Sequence, residues 1–292
     1  MNNILRNKAK NIGFLRELYR SYTQKHVKNK LLEGVGELKS MDAASFEKQQ
    51  TTPFKNLSLE NTEKNRQVVN DPGFKIYFRS QENNSHISVT DQFNGAPYFT
   101  RQRMLATAYN YIGLENLKNY SMADLAGSCG YYSFLAAPFG FDKITVLEGR
   151  KEYEEQFSIL REKTAVNSID WNQKDVTQGI ETYDVVLCQG LLYHLYDHLG
   201  FLSMLFNKTK HILILETELS GHKGFLNYSK YEDVADNRQG LAGIAMYPSY
   251  LTVISLLKTV GFKKITRVAP PTDVADLHGY NKNRRTMLIC EK

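Results

Sequence analysis

This chain of 292 residues has few cysteines and no long apolar run. Its three cysteines, Cys129, Cys188 and Cys290, are widely spaced and odd in number, which indicates reduced thiols rather than a disulfide framework or a zinc site. No apolar run approaches the length of a membrane span, and the N-terminal residues lack the apolar core of a signal peptide. We therefore expect a cytoplasmic protein that has no membrane span and binds no metal.

Two phosphate-binding motifs are also missing. The turn at residues 126–130 reads AGSCG, and Tyr131 and Tyr132 follow where a dinucleotide-binding loop has its third small residue. Bulky side chains there argue against a pyrophosphate on the N-terminus of the next helix. No Gly-Lys-Ser/Thr triplet follows either, so the phosphate loop of nucleoside triphosphatases is absent. A nucleoside ligand without a diphosphate fits this turn better.

The composition is that of a folded protein with a mild positive charge. Hydrophobic residues make up 42% of the chain and aromatic residues 12%, which is ordinary for a globular protein. The net charge of +6 permits an acidic partner without requiring one. Charge alone therefore does not select a class of partner.

Residues 1–97 form an N-terminal extension. Their first part is basic and places apolar residues at helical spacing, which predicts a basic amphipathic helix. Such a helix either contacts nucleic acid or an anionic membrane surface, or docks on the main domain with a solvated basic face. We favour docking, because charged faces are usually only solvated. Residues 38–71 predict a loosely held polar connection, and strands at 74–80 and 87–93 predict a hairpin.

From residue 98 to residue 292 the chain alternates between helix and strand. Strands are predicted at residues 122–125, 144–148, 168–171, 183–190, 211–219, 263–269 and 285–291. Helices are predicted at residues 99–113, 132–140, 151–167, 198–209 and 247–262. This cadence predicts an α/β fold, a doubly wound and mostly parallel sheet of seven strands, with an insertion at about residues 220–247.

The turn at residues 124–130 follows the first strand of this predicted sheet. Ligands of such sheets bind where the carboxyl ends of the strands meet the loops that follow. Glu148 stands at the end of the second strand, 24 residues after Asp124 (148 − 124). A carboxylate at that place accepts hydrogen bonds from both hydroxyls of a ribose. We therefore expect a nucleoside between these two loops.

Three stretches of the domain have a recognisable pattern: DLAGSCGYYSF at residues 124–134, VLCQGLLYHL at 186–195 and YPSYLTVISLLKTVGFKKI at 247–265. The first resembles motif I of class I S-adenosylmethionine-dependent methyltransferases, although Ala126 stands where glycine is commonest. The other two resemble the fourth-strand motif and late helix of the branch that contains the tRNA wobble-uridine carboxymethyltransferase. The resemblance covers about residues 98–292 and implies a Rossmann-like methyltransferase fold with S-adenosylmethionine as cofactor.

The resemblance assigns cofactor roles to Asp124, Ala126, Gly127, Gly130, Glu148, Asp175, Gln189 and Gly190. It implies that Asp124 orients the turn and, often through water, the ammonium group of the methionine part. The small residues of the turn let the backbone pass beneath the amino-acid part, Glu148 accepts the ribose hydroxyls, and Asp175 meets the adenine amine. The alternative for Asp175 is a solvated loop acid. Gln189 and Gly190 lie beside the cofactor at the end of the fourth strand.

His194 is the candidate general base, with Tyr193 beside it, because imidazole takes a proton from a hydroxyl or amine near neutral pH. Methyl transfer otherwise needs mainly in-line alignment, since the sulfonium is already activated. The alternative is that His194 only hydrogen-bonds a loop carbonyl and shapes the pocket. We expect His198 to be exposed, and Cys129 and Cys188 to be small fillers rather than nucleophiles.

The acceptor pocket is expected between the fifth strand and the late helix, where this family builds it. Tyr228 and Tyr231 belong to that region, and Arg101 and Arg103 would add positive charge over the same opening. The favoured function is methyl transfer to an oxygen or nitrogen of a small molecule. The alternatives are a tRNA-modifying methyl- or carboxymethyltransferase, and an inactive cofactor-binding subunit that supports a partner. The acceptor and the oligomeric state do not follow from the sequence.

Overall fold

The structure, a computed structural model, describes residues 24–49, 58–60, 78–80, 86–89, 96–236, 239–274 and 279–292. The strands in these ranges are β1 (Val35–Lys39), β2 (Ser58–Glu60), β3 (Phe78–Ser80), β4 (His86–Val89), β5 (Ser121–Leu125), β6 (Lys143–Glu148), β7 (Ile169–Gln173), β8 (Tyr183–Gln189), β9 (Thr209–Glu218), β10 (Asn227–Tyr231), β11 (Ile244–Pro248), β12 (Lys264–Ala269) and β13 (Arg285–Glu291). The helices are α1 (Ala43–Gln49), α2 (Ala96–Ile112), α3 (Leu114–Leu117), α4 (Tyr131–Ala136), α5 (Tyr153–Thr164), α6 (His198–Lys208) and α7 (Tyr250–Val260). Short 3-10 turns lie at Ala137–Phe139, Val176–Gln178 and Leu192–His194.

Eight strands form the central sheet, in the order β1-β12-β13-β9-β8-β5-β6-β7. The strands from β9 to β7 in this order pair in parallel, whereas β13 runs antiparallel to both β9 and β12. The predicted doubly wound, mostly parallel sheet is therefore confirmed, with one strand more than the seven expected. The additional strand is β1, whose five residues are half-buried or exposed and so give no apolar run to detect.

Strands β5, β8 and β6 position the site. Apolar residues run through β5 and β8 without alternation, which suits parallel strands that are covered on both faces. In the register of the sheet, Leu125 of β5 lies opposite Cys188 of β8 and opposite Leu147 of β6. The carboxyl ends of the three strands therefore meet at one edge of the sheet.

A side-chain cap sets the start of α7 and a glycine sets its end. The Oγ of Ser249 accepts a hydrogen bond from the N–H of Thr252 at 3.2 Å, and α7 ends at Gly261, whose φ of 117° suits only glycine. The prediction that this helix begins at residue 247 is wrong, because Tyr247 and Pro248 pair with β10 as the end of β11.

Residues 35–49 are folded in the structure, although residues 38–49 were predicted as part of a loose polar connection. They form the edge strand β1 and the helix α1, in which the side chain of Phe46 is 1% exposed. The N–H of Met41 donates to Oγ1 of Thr107 of α2 at 2.9 Å. One buried aromatic ring and a few backbone hydrogen bonds thus hold a segment whose composition is polar.

The rest of the N-terminal extension is described only in pieces. By its contacts the chain forms two compact units, residues 1–35 and residues 36–292; the first is described from residue 24 on, and residues 24–32 are helical. Residues 1–23 of the predicted basic helix lie outside the described residues. Strands β3 and β4 pair antiparallel where the hairpin was predicted, and β2 adds a third strand on β4. The domain boundary near residue 97 stays a prediction.

In the part of the chain that the structure describes, no helix has the length and apolarity that crossing a bilayer requires.

Candidate active site

The turn after β5 is tightly wound around Asp124. This carboxylate is 3% exposed, and its Oδ2 accepts a hydrogen bond from Oγ of Ser133 in α4 at 2.8 Å. Ala126, Ser128 and Gly130 all have left-handed backbones, with φ of 50°, 53° and 78°. The left-handed region is unfavourable for residues with a Cβ, so Ala126 and Ser128 are held there by the surrounding contacts. The departure from glycine at Ala126 is therefore tolerated but strained.

Gly127 is required by the protein's own packing. An added Cβ there would lie 2.8 Å from the carboxyl carbon of Asp124 and 2.8 Å from a methyl carbon of Val146. The resemblance implied that the small residues of this turn leave room for a cofactor. At Gly127 the position of a Cβ is filled by the neighbouring strands, so the packing of the protein itself requires glycine there, and contact of its backbone with a cofactor stays a prediction.

Glu148 joins this turn to the loop that follows β6. Its side chain is buried, with Oε2 accepting the N–H of Ser128 at 2.8 Å and Oε1 accepting the N–H of Arg150 at 2.9 Å. Trp171 of β7 supports the same turn by donating from Nε1 to the carbonyl oxygen of Ser128 at 3.0 Å. A carboxylate oxygen has two lone pairs, so the chemistry of this side chain suits hydroxyl donors as well as N–H donors.

Asp175 has a local structural role in the loop after β7. Its exposed side chain caps the turn Val176–Gln178, where Oδ1 accepts the N–H of Thr177 at 2.9 Å and its hydroxyl at 2.6 Å. The structure therefore agrees with the alternative that Asp175 is a solvated loop acid. Its contact with an adenine amine stays a prediction.

Gln189 and Gly190 end β8 at the same edge of the sheet as Asp124 and Glu148. The Oε1 atom of Gln189 is buried without a hydrogen bond of ordinary geometry among the described residues, although the Gln189 side chain lies close enough to the Tyr132 hydroxyl to help lower the pKa of that group against the effect of burial. Such an atom costs free energy unless a ligand or water donates to it. Gly190 turns the chain with a φ of 72°, and its N–H donates to the carbonyl oxygen of Glu216 in β9 at 2.9 Å.

His194 is hydrogen-bonded to a carboxylate that the sequence analysis did not identify. Its Nδ1 lies 2.7 Å from Oε2 of Glu232, whose side chain is almost completely buried. The ring of Tyr193 lies against the imidazole, with 4.1 Å between the ring centroids. Glu232 escaped detection because it lies 38 positions further along the chain and no local motif links it to the histidine.

Three tyrosines form a row beside His194. Tyr193 and Tyr247 are stacked, with centroids 5.4 Å apart and planes inclined by 21°, and Tyr228 lies 6.3 Å from Tyr247 on the neighbouring strand. Burial, followed by the charges of Glu218 and Glu232, raises the pKa of Tyr247 to about 12. The structure thus brings Tyr228 towards the candidate base, whereas Tyr231, which is 78% exposed, pairs with the outer end of β11.

A buried cluster of charges lies beneath this row, around Glu216 of β9. Nε of Arg285 lies 2.7 Å from Oε1 of Glu216, the hydroxyl of Tyr280 donates to the same oxygen at 2.7 Å, and Nε of Arg101 lies 3.8 Å away. The guanidinium of Arg285 also stands 5.3 Å from the ring centroid of Tyr193. Burial alone would raise the pKa of Glu216, but the positive charges of Arg285 and Arg101 lower it to about 2.

One feature of the sequence points to this charge cluster. Glu216 interrupts the apolar run of β9, and a buried charge requires a partner of opposite sign. Arg101 was predicted at the acceptor opening and is part of the cluster. Arg103 is not: it is 1% exposed, its Nη1 lies 2.7 Å from Oδ1 of Asp273, and its Nε donates to the carbonyl oxygen of Met41. Arg103 therefore holds the N-terminal segment against α2.

The structure also tests the expectations for His198 and Cys188. His198 was expected to be exposed; it is 3% exposed at the start of α6, and burial lowers its pKa. Cys188 is fully buried, and desolvation raises the pKa of its thiol far above the usual range. A thiol in that state is a poor nucleophile, in agreement with its role as a filler.

The strand order, with β13 lying antiparallel between β12 and β9, is that of a Rossmann-like α/β fold. Two solved structures are similar to this chain. The N-terminal domain of EvdMO1, solved with SAH bound, is 17% identical and has a TM-score of 0.55 over 79% of this chain and 97% of that one. Magnesium protoporphyrin IX methyltransferase (ChlM) from Synechocystis PCC 6803, also with bound SAH, is 14% identical and has a TM-score of 0.50 over 78% and 92%. No family model and no curated protein matches the sequence.

The charge cluster makes a prediction about acid stability. The folded pKa of Glu216, about 2, lies below the ordinary value of 4.5, so its contribution to stability is complete above pH 4.5 and is lost as the pH falls towards 2. In Glu216→Gln this contribution is absent and two buried guanidiniums lose their counter-charge. We expect the free energy of unfolding at pH 7 to fall by about 3–5 kcal/mol, measured in urea.

The control is Asp170→Asn, which removes a carboxylate from an exposed ion pair with Lys143 at 3.0 Å. Exposed pairs contribute about 0–1 kcal/mol, so this variant should unfold almost as the wild type does. Equal stability of Glu216→Gln and the wild type at pH 7 would contradict the role of Glu216 in the cluster.

Proposed function

We propose that this protein is an S-adenosylmethionine-dependent methyltransferase that acts on an oxygen or nitrogen of a small-molecule acceptor. The observation that carries the proposal is the buried carboxylate of Glu148, held by the N–H groups of Ser128 and Arg150 at the carboxyl edge of the sheet. The buried amide of Gln189 at the same edge adds a polar group within reach of a ligand there. Both fit a nucleoside. The fold supports the same class, since EvdMO1 and ChlM are similar structures solved with SAH.

The cofactor would be held by the residues of the three strand ends. Glu148 would accept the ribose hydroxyls; the turn with Asp124, Ala126, Gly127 and Gly130 would contact the amino-acid part; Asp175, Gln189 and Gly190 would complete the site. S-adenosylmethionine supplies an activated methyl group on a sulfonium, so the protein's task is alignment and proton removal. His194 would take the proton, and Tyr193 would pack beside it.

The acceptor would lie against the row of Tyr193, Tyr247 and Tyr228. Aromatic faces give such a pocket a large apolar surface with few charges, which favours a neutral or weakly polar group. The two nearby guanidiniums are already paired with Glu216 and, for Arg285, with Glu218 at 2.9 Å. This pairing favours a plain methyl donor and a small molecule over a strongly anionic acceptor.

One observation favours the carboxymethyl alternative. Arg285 lies beside Gly190, where an added Cβ would be 3.9 Å from its Nη2, so a guanidinium stands near the proposed position of the transferred group. Guanidinium groups pair well with carboxylates. A carboxylated cofactor, with tRNA as acceptor, is therefore the second candidate.

A transfer assay tests the reaction. The purified protein is incubated with S-adenosylmethionine labelled on its methyl group and, in separate arms, with a metabolite extract or bulk tRNA. We expect the label in the low-molecular-weight fraction. Label in tRNA would support the second candidate. SAH binding without transfer in either arm would contradict catalysis and indicate an inactive cofactor-binding subunit.

Calorimetry with SAH tests the cofactor site. Glu148→Gln removes the charge from the proposed ribose acceptor, and the loss of one charge-assisted hydrogen bond, about 1.5–3 kcal/mol, corresponds to a roughly tenfold or larger rise in Kd. The control is Glu162→Gln on α5, whose carboxylate is 71% exposed and should not affect binding. An unchanged Kd in Glu148→Gln would remove the ribose assignment, and preferential binding of NAD would overturn the class.

The role of His194 as a base is tested by His194→Gln. We expect the methyl-transfer step to slow by roughly a hundredfold or more while the Kd for SAH stays the same. The variant should also lose any dependence of that step on pH that the wild type shows, since an imidazole acts as a base only in its neutral form. His211→Gln, at the amino end of β9, is the control. A wild-type rate that does not change with pH, with chemistry shown to limit turnover, would exclude the base.

A further inference from the structure

Glu232 is a buried carboxylate whose hydrogen bonds converge on one oxygen. Its side chain is about 4% exposed, and Oε2 lies 2.7 Å from Nδ1 of His194 and 3.0 Å from the N–H of Gly240. Burying a carboxylate is costly unless its charge is hydrogen-bonded. The chain nevertheless buries this carboxylate in the segment between β10 and β11, beside the candidate base His194.

The backbone around Gly240 is shaped to this pair. An added Cβ at Gly240 would lie 2.8 Å from Cβ of His194 and 2.9 Å from Oε2 of Glu232. A Cβ atom does not come this close to other heavy atoms, so the close approach depends on glycine. The segment therefore packs on His194 through its main chain and excludes any side chain from that place.

Arg150 fixes the same segment from the other side. Its Nη2 lies 3.2 Å, 3.4 Å and 3.2 Å from the carbonyl oxygens of Val234, Asp236 and Gln239. Its own N–H donates to Glu148. The segment that carries Glu232 is thus tied to the loop that carries the proposed ribose acceptor.

The hydrogen bond between Glu232 and His194 determines which ring nitrogen carries a proton. An ionised carboxylate only accepts hydrogen bonds, so Nδ1 must be the donor. In a neutral imidazole the other nitrogen, Nε2, then has the lone pair. This is the tautomer that a base acting through Nε2 requires.

We propose that Glu232 is the positioning residue for His194, a proposal that rests on the methyltransferase function. Its carboxylate holds the neutral imidazole with the proton on Nδ1. As the electron pair of the acceptor oxygen or nitrogen forms the bond to the methyl group, the bond from methyl to sulfur breaks and the sulfonium leaves as a neutral thioether. The acceptor's proton passes to Nε2, and the resulting imidazolium is stabilised by Glu232 until it releases the proton to water.

The first test reads the tautomer directly and needs neither cofactor nor acceptor. The full-length protein is labelled with 15N in its seven histidines, and the ring signals of His194 are identified by their loss in His194→Gln. When the ring of His194 is neutral, we expect a protonated Nδ1 and an unprotonated Nε2 in the wild type. In Glu232→Gln the amide can donate to Nδ1, so the proton should move to Nε2.

The second test measures kcat and KM in the transfer assay. Glu232→Gln should lower kcat by roughly a hundredfold, as loss of the base does, with KM for S-adenosylmethionine unchanged. Glu232→Asp, which keeps the charge, should recover at least tenfold of that loss. The control is Asp233→Asn, the same chemical change one residue away, where Oδ1 accepts only the local N–H of Ala235 among the hydrogen bonds described for it. This control should keep both the tautomer and kcat.

The outcomes separate the two proposals. An Nε2–H tautomer in the wild type, or an unchanged tautomer in Glu232→Gln, overturns the positioning role whatever the activity; the wild-type spectrum decides this even if the variant does not fold. A tautomer that changes as expected while kcat stays at the wild-type value also overturns it. Expected spectra in a protein that transfers no methyl group would support the geometry of the pair and reject the methyltransferase function.

Discussion

A single buried carboxylate, that of Glu148, joins the two loops on which the candidate site is built. One oxygen holds the turn after β5 through Ser128, and the other holds the start of the loop after β6 through Arg150. Arg150 then extends the connection to the segment that carries Glu232 and, through it, to His194. The proposed cofactor side and the proposed acceptor side are therefore parts of one hydrogen-bonded network.

A second constraint lies below this network. Arg285, Arg101 and Tyr280 surround Glu216, which is completely buried and directly follows the apolar residues 212–215 of its strand. Charges in such a place are stable only as a set, because removing one leaves the others without compensation. The cluster connects β9, β13 and α2 under the tyrosine row and so gives Tyr193 a rigid support.

The order of the elements could be predicted from the sequence, and the partners of the buried charges could not. Continuous apolar runs and a turn of small residues indicate parallel strands and their switch point, because those signals are local. Glu232 lies in an irregular segment and meets His194 only in three dimensions, and Arg285 meets Glu216 across 69 positions. β1 was missed for a different reason: an edge strand needs no apolar run, since one side of it pairs with solvent. The sequence identified Gly127 as a residue that must be small, but the atoms that exclude a side chain there belong to Asp124 and Val146 of the protein itself.

Arg150 holds the segment before β11 through main-chain atoms, and this leaves the side chains of that segment free to vary. It binds main-chain oxygens of Val234, Asp236 and Gln239, and a carbonyl oxygen is the same whichever side chain the residue carries. The hold on this segment is therefore largely indifferent to residue identity at an exposed position such as Val234, which is 49% exposed. Side chains there are open to exchange while the backbone keeps its course, so this segment can change its surface, in evolution or by redesign, without losing its attachment to Arg150.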